Sequence, residues 1–121
     1  MKKLLITLFA MFAIINPLFS EAKEYVPHKY TAVNAAHILV GTKREAQLLK
    51  QMIDNGEDFA VLARQYSQCP SKSYGGNLGY FKRNQMVKEF ETAAFGLPIG
   101  EISEPIQTQF GWHLIKVYDK K

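Results

Sequence analysis

An α+β domain is the fold class this sequence predicts, and three kinds of observation predict it. Apolar, β-branched runs recur along the chain, stretches with helical apolar spacing lie between them, and Gly, Pro, Asn and Asp mark the joints. In chain order the segments read β, α, α, loop, β, α, β, β. The 121 residues are 47% hydrophobic and 21% charged, the balance of one globular domain, which excludes a chain disordered throughout.

The amino-terminal stretch stands apart from this pattern. Lys2 and Lys3 precede an apolar run from Leu4 to Ile15 that ends at Asn16-Pro17, the layout of a secretory signal. The uncharged run to Phe19 is broken at that pair and is shorter than the ~20 apolar residues of a bilayer span. Ser20 and Ala22 are the small residues required before a cut ahead of Lys23, with a cut after Ser20 as the alternative. No cysteine lies near the cut, which argues against a lipid-anchored amino terminus. We therefore expect a signal peptide over 1–22, a short polar tail over 23–30 containing Pro27, and one domain over 31–121. This implies an exported, periplasmic or extracellular protein with no stable membrane association after cleavage. An uncleaved, membrane-anchoring signal is the competing reading.

Thr31 to Val40 (TAVNAAHILV) reads as a strand in which His37 and Leu39 share one face and Ala36, Ile38 and Val40 the other. Thr42-Lys43-Arg44-Glu45 fits a capping box, and Ala46, Leu48, Leu49, Met52 and Ile53 follow at helical spacing until Asn55-Gly56. Asp58 caps a second helix with an apolar face of Phe59, Leu62, Ala63 and Tyr66. The breaker-rich segment Ser67 to Asn77 reads as a loop, and Leu78 to Phe81 as a short strand. Met86, Phe90, Ala93 and Ala94 fall on one face of a third helix closed near Gly96 or Leu97-Pro98, with Lys88, Glu89 and Glu91 facing water. After a turn at Ile99-Gly100-Glu101, two β-rich segments, Ser103–Thr108 and Trp112–Tyr118, flank the three-residue link Gln109-Phe110-Gly111. In the last strand His113, Ile115 and Val117 share a face.

The charge balance, 15 Lys and Arg against 11 Asp and Glu, contains no long run of like charges, so no nucleic-acid partner is expected. The one cysteine, Cys69, forms no intrachain disulfide and cannot supply a multi-cysteine zinc site. His37 and His113 have no evident third ligand, so no metal is expected either.

Several segments resemble the parvulin family of peptidyl-prolyl cis/trans isomerases. They are Ala36-His37-Ile38-Leu39-Val40, Asp58-Phe59-Ala60-Val61-Leu62-Ala63, Tyr66-Ser67-Gln68-Cys69-Pro70-Ser71 and Gly75-Gly76-Asn77-Leu78-Gly79-Tyr80-Phe81. Gln85-Met86-Val87, Phe90-Glu91-Thr92-Ala93-Ala94-Phe95, Gly100 to Pro105 and Thr108 to Ile115 continue the match in the family's order, so that it covers roughly Ala35 to Val117. The resemblance implies a four-stranded antiparallel sheet surrounded by helices, a groove for proline-containing unfolded polypeptides and no cofactor; a monomer is expected. It carries the family's two sheet histidines onto His37 and His113, its central polar position onto Cys69 and a further polar residue onto Thr108. Its proline pocket falls on Leu78, Met86, Phe90 and Phe110, with Gln85 or Val87 beside it. Some parvulins carry aspartate where this chain has Cys69. The phosphate-reading members have a longer basic loop after the first strand, whereas here only Gly41-Thr42-Lys43-Arg44 separates strand from helix, so phosphoserine selectivity is not expected.

The chemistry such a site must perform is rotation about an Xaa-Pro amide, whose resonance sets a barrier of ~20 kcal/mol. Accelerating ~100 s to milliseconds needs about 10⁵, or roughly 7 kcal/mol, more than one neutral hydrogen bond supplies. A dry apolar surface favours the twisted, unconjugated amide, and Met86 and Phe90, expected four apart on one helix face, would hold the proline ring. By residue type alone the same pair reads as plain core packing. The histidines, set in apolar strands, read as hydrogen-bonded to each other or to Thr108 and as holding the groove floor. Cys69 is open between a weak polar partner, a thiolate nucleophile and a small buried hydrophobe. Three functions follow in descending order: an isomerase, a prolyl-peptide binding module or holdase using the same groove, and a cysteine hydrolase.

Overall fold

A computed structural model describes residues 30–121; the expected signal peptide and residues 23–29 of the expected tail lie outside the described residues. The elements are β1 (Ala32–Val40), α1 (Lys43–Asp54), α2 (Phe59–Tyr66), a 3-10 turn (Pro70–Tyr74), β2 (Asn77–Lys82), α3 (Lys88–Gly96), β3 (Ile106–Thr108) and β4 (Gly111–Lys120). The four strands form one antiparallel sheet in the order β2-β1-β4-β3, so β1 and β4 are central and buried between neighbours.

Period-two alternation divides the apolar residues of β1 and β4 between two cores. Ala36, Ile38, Val40 and Leu114 pack under α1 and α2 against Ala46, Leu49, Phe59, Leu62 and Ala63. Val33, Ala35, Ile115 and Val117 pack on the other face against Phe81, Phe90 and Ala94. The helix starts follow their capping chemistry. Thr42 Oγ1 accepts the Glu45 N–H at 3.1 Å and donates to Glu45 Oε1 at 3.0 Å, and Asp58 Oδ2 accepts the Val61 N–H at 3.2 Å. The Glu45 carboxylate thus meets the Thr42 hydroxyl, a variant of the expected box.

Six expectations are corrected. Leu48 and Tyr66 are 49% and 51% exposed, because they lie off the buried Ala46/Leu49 and Phe59/Leu62/Ala63 stripes that face the sheet. The segment after Ser67 is not all irregular: Pro70, with its preset φ, starts a 3-10 turn. Met86 precedes α3 rather than sharing its face with Phe90, since Val87 is extended at φ −59°, ψ 149° and the helix begins at Lys88. Glu91 turns inward and not to water, with its side chain 14% exposed. The penultimate strand starts only at Ile106, because Pro105 has no N–H for the ladder. Ser103 instead docks on β4, its N–H donating to Ile115 O at 2.8 Å and its Oγ accepting the Ile115 N–H at 2.9 Å. Gly111 also belongs to β4, paired with Thr108, which leaves Gln109-Phe110 as the link.

Two glycines allow this packing. Gly76, at φ +83°, accepts the His37 N–H on its carbonyl at 3.0 Å, and a Cβ there would lie 2.3 Å from His37 O. Gly111, at φ +137°, would place a Cβ 2.6 Å from Val40 O.

Candidate active site

The register of β1 on β4 pairs His37 with Ile115 and Leu39 with His113, which makes the two histidines diagonal neighbours on one sheet face. Their rings stack at 5.2 Å with a 17° interplanar angle, and Nδ1 meets Nδ1 at 3.0 Å. Thr108 Oγ1 lies 2.7 Å from His113 Nε2 and accepts the Phe110 N–H at 3.1 Å. Phe90 stands edge-on to both rings, 5.4 Å from His37 and 5.3 Å from His113.

Burial pushes both imidazoles down to about 4, and for His37 the neighbouring His113 adds to the effect. Each ring is therefore neutral near pH 7 and carries one proton. With Thr108 accepting from Phe110, its hydroxyl proton goes to His113 Nε2. His113 then donates from Nδ1 to His37 Nδ1, and His37 keeps its proton on Nε2. This order leaves the fewest buried groups unpaired, the remaining one being His37 Nε2, which has no partner among the described residues.

Cys69 is held beside this pair by the end of β1. Gln68 donates its N–H to Leu39 O at 2.8 Å, and Ser67 Oγ accepts from Leu39 N at 3.0 Å and from Cys69 N at 3.3 Å. The half-buried thiol makes no hydrogen bond to either histidine among the described residues. With both imidazoles neutral, no thiolate–imidazolium pair is assembled.

A cavity of roughly 490 Å³ opens here, lined by His37, Leu39, Gln68, Cys69, Pro70, Leu78, Gln85, Met86, Val87, Phe90, Phe110 and His113. The lining contains no Asp, Glu, Lys or Arg, and both of its imidazoles are neutral near pH 7, so the wall is apolar with a few polar groups. Nine of the ten residues named from the sequence, Val87 included, thus converge on it. Thr108 does not line the cavity: it sits behind His113, 8% exposed, and acts on it by hydrogen bonding. Phe90 is 3% exposed and belongs to the core as well as to the cavity, whereas Phe110 is 61% exposed at the rim. Leu39, Gln68 and Pro70 were not named as site residues. Leu39 was legible as the residue sharing the His37 face, and Gln68 and Pro70 flank Cys69. Lys43 and Arg44 are exposed at the start of α1 and lie outside the lining.

Known proteins place this geometry. The sequence pattern of the PPIC-type PPIase domain, a rotamase, matches residues 32–119. Foldase protein PrsA of Geobacillus kaustophilus is 49% identical over 102 residues, 84% of this chain and 36% of the relative. The chain thus spans about a third of the length of such curated relatives. The crystal structure of the peptidylprolyl isomerase PrsA from Bacillus anthracis superposes with a TM-score of 0.75 at 47% identity, covering 78% of this chain and 44% of that one. The solution structure of NmPin, the parvulin of Nitrosopumilus maritimus, does so at 0.68 and 43% identity, covering 74% of this chain and 97% of that one. Sheet, helices and matched residues agree, and the chain belongs to the PPIC-type peptidyl-prolyl isomerase family, the parvulins.

Proposed function

We propose that this chain accelerates cis/trans isomerisation of Xaa-Pro bonds in proline-containing unfolded polypeptides, without a covalent intermediate and without phosphate selectivity. The observation that carries this reading is the uncharged cavity whose floor is the neutral His37–His113 pair anchored by Thr108. Planar amide resonance places charge on the carbonyl oxygen, and a twisted amide gives that charge up, so a dry, neutral wall favours the twisted form over the planar one. Met86, Leu78, Val87 and Phe90 hold the proline ring, and the carbonyl before it swings past Cys69 and the histidine floor. The acceleration sums several modest terms, since no single neutral hydrogen bond reaches the roughly 7 kcal/mol needed.

Cys69 acts as a weak polar partner. Cys69→Asp keeps measurable turnover and Cys69→Ala loses more, measured by exchange between cis and trans prolyl-peptide signals in NMR. A trapped thiol adduct, or an Asp variant that folds yet does no better than Ala, rejects the non-covalent role. Peptide binding with no acceleration of exchange would instead identify a binding module or holdase.

The leader over 1–22 supports a second part of the proposal: the protein is exported and works as a soluble monomer outside the cytoplasm. The mass of the mature protein tests this, with Met1 retained on membrane-bound material as the contrary result.

A further inference from the structure

Glu91 follows Phe90 on α3, yet its carboxylate is spent on the turn before the helix. Oε1 accepts the backbone N–H of Asn84 in a short hydrogen bond, and Oε2 lies 3.8 Å from Arg83 Nη1. The Arg83 guanidinium in turn lies 4.2 Å over the Phe95 ring. Asn84 is the one non-glycine residue at positive φ, +69°, among the described residues, a left-handed turn conformation that asparagine tolerates better than other side chains. The turn's own hydrogen bonds are uneven: Gln85 N–H to Lys82 O is long at 3.4 Å, whereas Gln85 Oε1 accepts the Lys82 N–H at 2.7 Å. Gln85, Met86 and Val87 leave this turn directly and form part of the cavity wall, and α3 behind them starts without a side-chain cap.

We propose that Glu91 is a positioning residue, which holds the Lys82–Gln85 turn through the Asn84 N–H and thereby fixes the Gln85–Val87 wall of the prolyl pocket. The inference rests on the prolyl-pocket reading given above. The acceptor matters more than the charge. An Arg–Glu pair at 3.8 Å with the arginine 39% exposed contributes little, whereas a carboxylate accepting a backbone N–H makes one of the stronger hydrogen bonds. One helix turn thus supplies both the floor, through Phe90, and the brace of the wall, through Glu91.

The test uses the full chain and a short Ala-Pro peptide, with exchange NMR read as separate kcat and KM. Glu91→Ala is expected to raise KM about tenfold, the loss of one charge-assisted hydrogen bond, with kcat within about twofold because floor and histidines are untouched. Glu91→Gln keeps an acceptor for Asn84 N–H and stays within about threefold of the wild-type KM, as does Arg83→Ala. If Glu91→Ala does not fold, Glu91→Asp carries the test, keeping the charge near the α3 start while shortening its reach. A wild-type KM in the Ala or Asp variant, a loss in kcat alone, or a Gln variant as impaired as Ala overturns the proposal. If the wild type accelerates no exchange, the isomerase reading fails separately. The brace is then read from the Kd for the same peptide and from hydrogen-exchange protection of the Asn84 amide, both lost in Glu91→Ala if it exists and both unchanged if it does not.

Discussion

On one face of the sheet Ile38, Val40 and Leu114 are fully buried against Leu62 and Ala63 of α2 and Leu49 of α1; on the other, the intervening positions His37, Leu39 and His113 border an open cavity. The same strands supply both faces. Two helices close the first, and aliphatic burial alone satisfies it. The single nine-residue helix α3 covers Val33, Ala35, Ile115 and Val117 on the second and leaves the histidine end of the strands open. Polar groups there must find partners, which is why His37, His113, Thr108 and the Phe110 N–H form one chain of hydrogen bonds. A strand can therefore be core on one side and active site on the other with no change in backbone.

The sharpest way to break this contrast is to truncate one large side chain on each face. Phe90→Ala removes a buried ring that also floors the cavity, and is expected to cost about 3–5 kcal/mol of stability and to depress turnover in the molecules that remain folded. Leu62→Ala on the opposite face is expected to cost about 2–5 kcal/mol with normal turnover per folded molecule. Denaturant unfolding beside exchange NMR separates the two, and equal loss of turnover in the folded fraction of both variants would show that the faces are not independent.

Acid sharpens the same contrast. The folded-state values of His37 and His113 lie below the unfolded 6.5, so the unfolded chain binds more protons as the pH falls. The stability that the neutral rings contribute is complete above about pH 6.5 and is lost as the pH drops toward about 4, where it levels off. The loss is on the order of 3 kcal/mol for one ring. Unfolding free energies at pH 7 and 4.5 measure it, and a flat profile would contradict the buried neutral pair.

Thr108→Val keeps the shape behind His113 and strips its hydroxyl, leaving the ring and the Phe110 N–H unpaired at a cost of about 1–3 kcal/mol. Turnover falls with it, and Thr108→Ser restores both. A Val variant that matches wild type in stability and rate would remove Thr108 from the site. The smallest effect is expected from Lys43→Ala with Arg44→Ala. These cations stand outside the cavity, so the ratio of rates on phosphoserine-Pro and Ala-Pro peptides should stay near its wild-type value. A large phosphate preference abolished by that pair of changes would overturn the neutral-pocket reading.

The pocket residues were legible only through the family resemblance, whereas local sequence chemistry was enough to determine the element order, the caps at Thr42 and Asp58 and the sharing of one face by His37 and Leu39. These are properties of spacing and short-range hydrogen bonding, which act within a few residues of one another. Tertiary structure alone decided the rest. That His37 Nδ1 meets His113 Nδ1 depends on the β1–β4 register across 76 residues, and that Thr108 stands behind the floor and not on it depends on the β3–β4 pairing. Met86 left the α3 face because Val87 is extended and the helix begins only at Lys88, a backbone conformation that apolar periodicity does not register. Phe90 became core and pocket at once because α3 covers only part of its face of the sheet: burial is a property of what lies opposite a side chain, and the sequence names the side chain only.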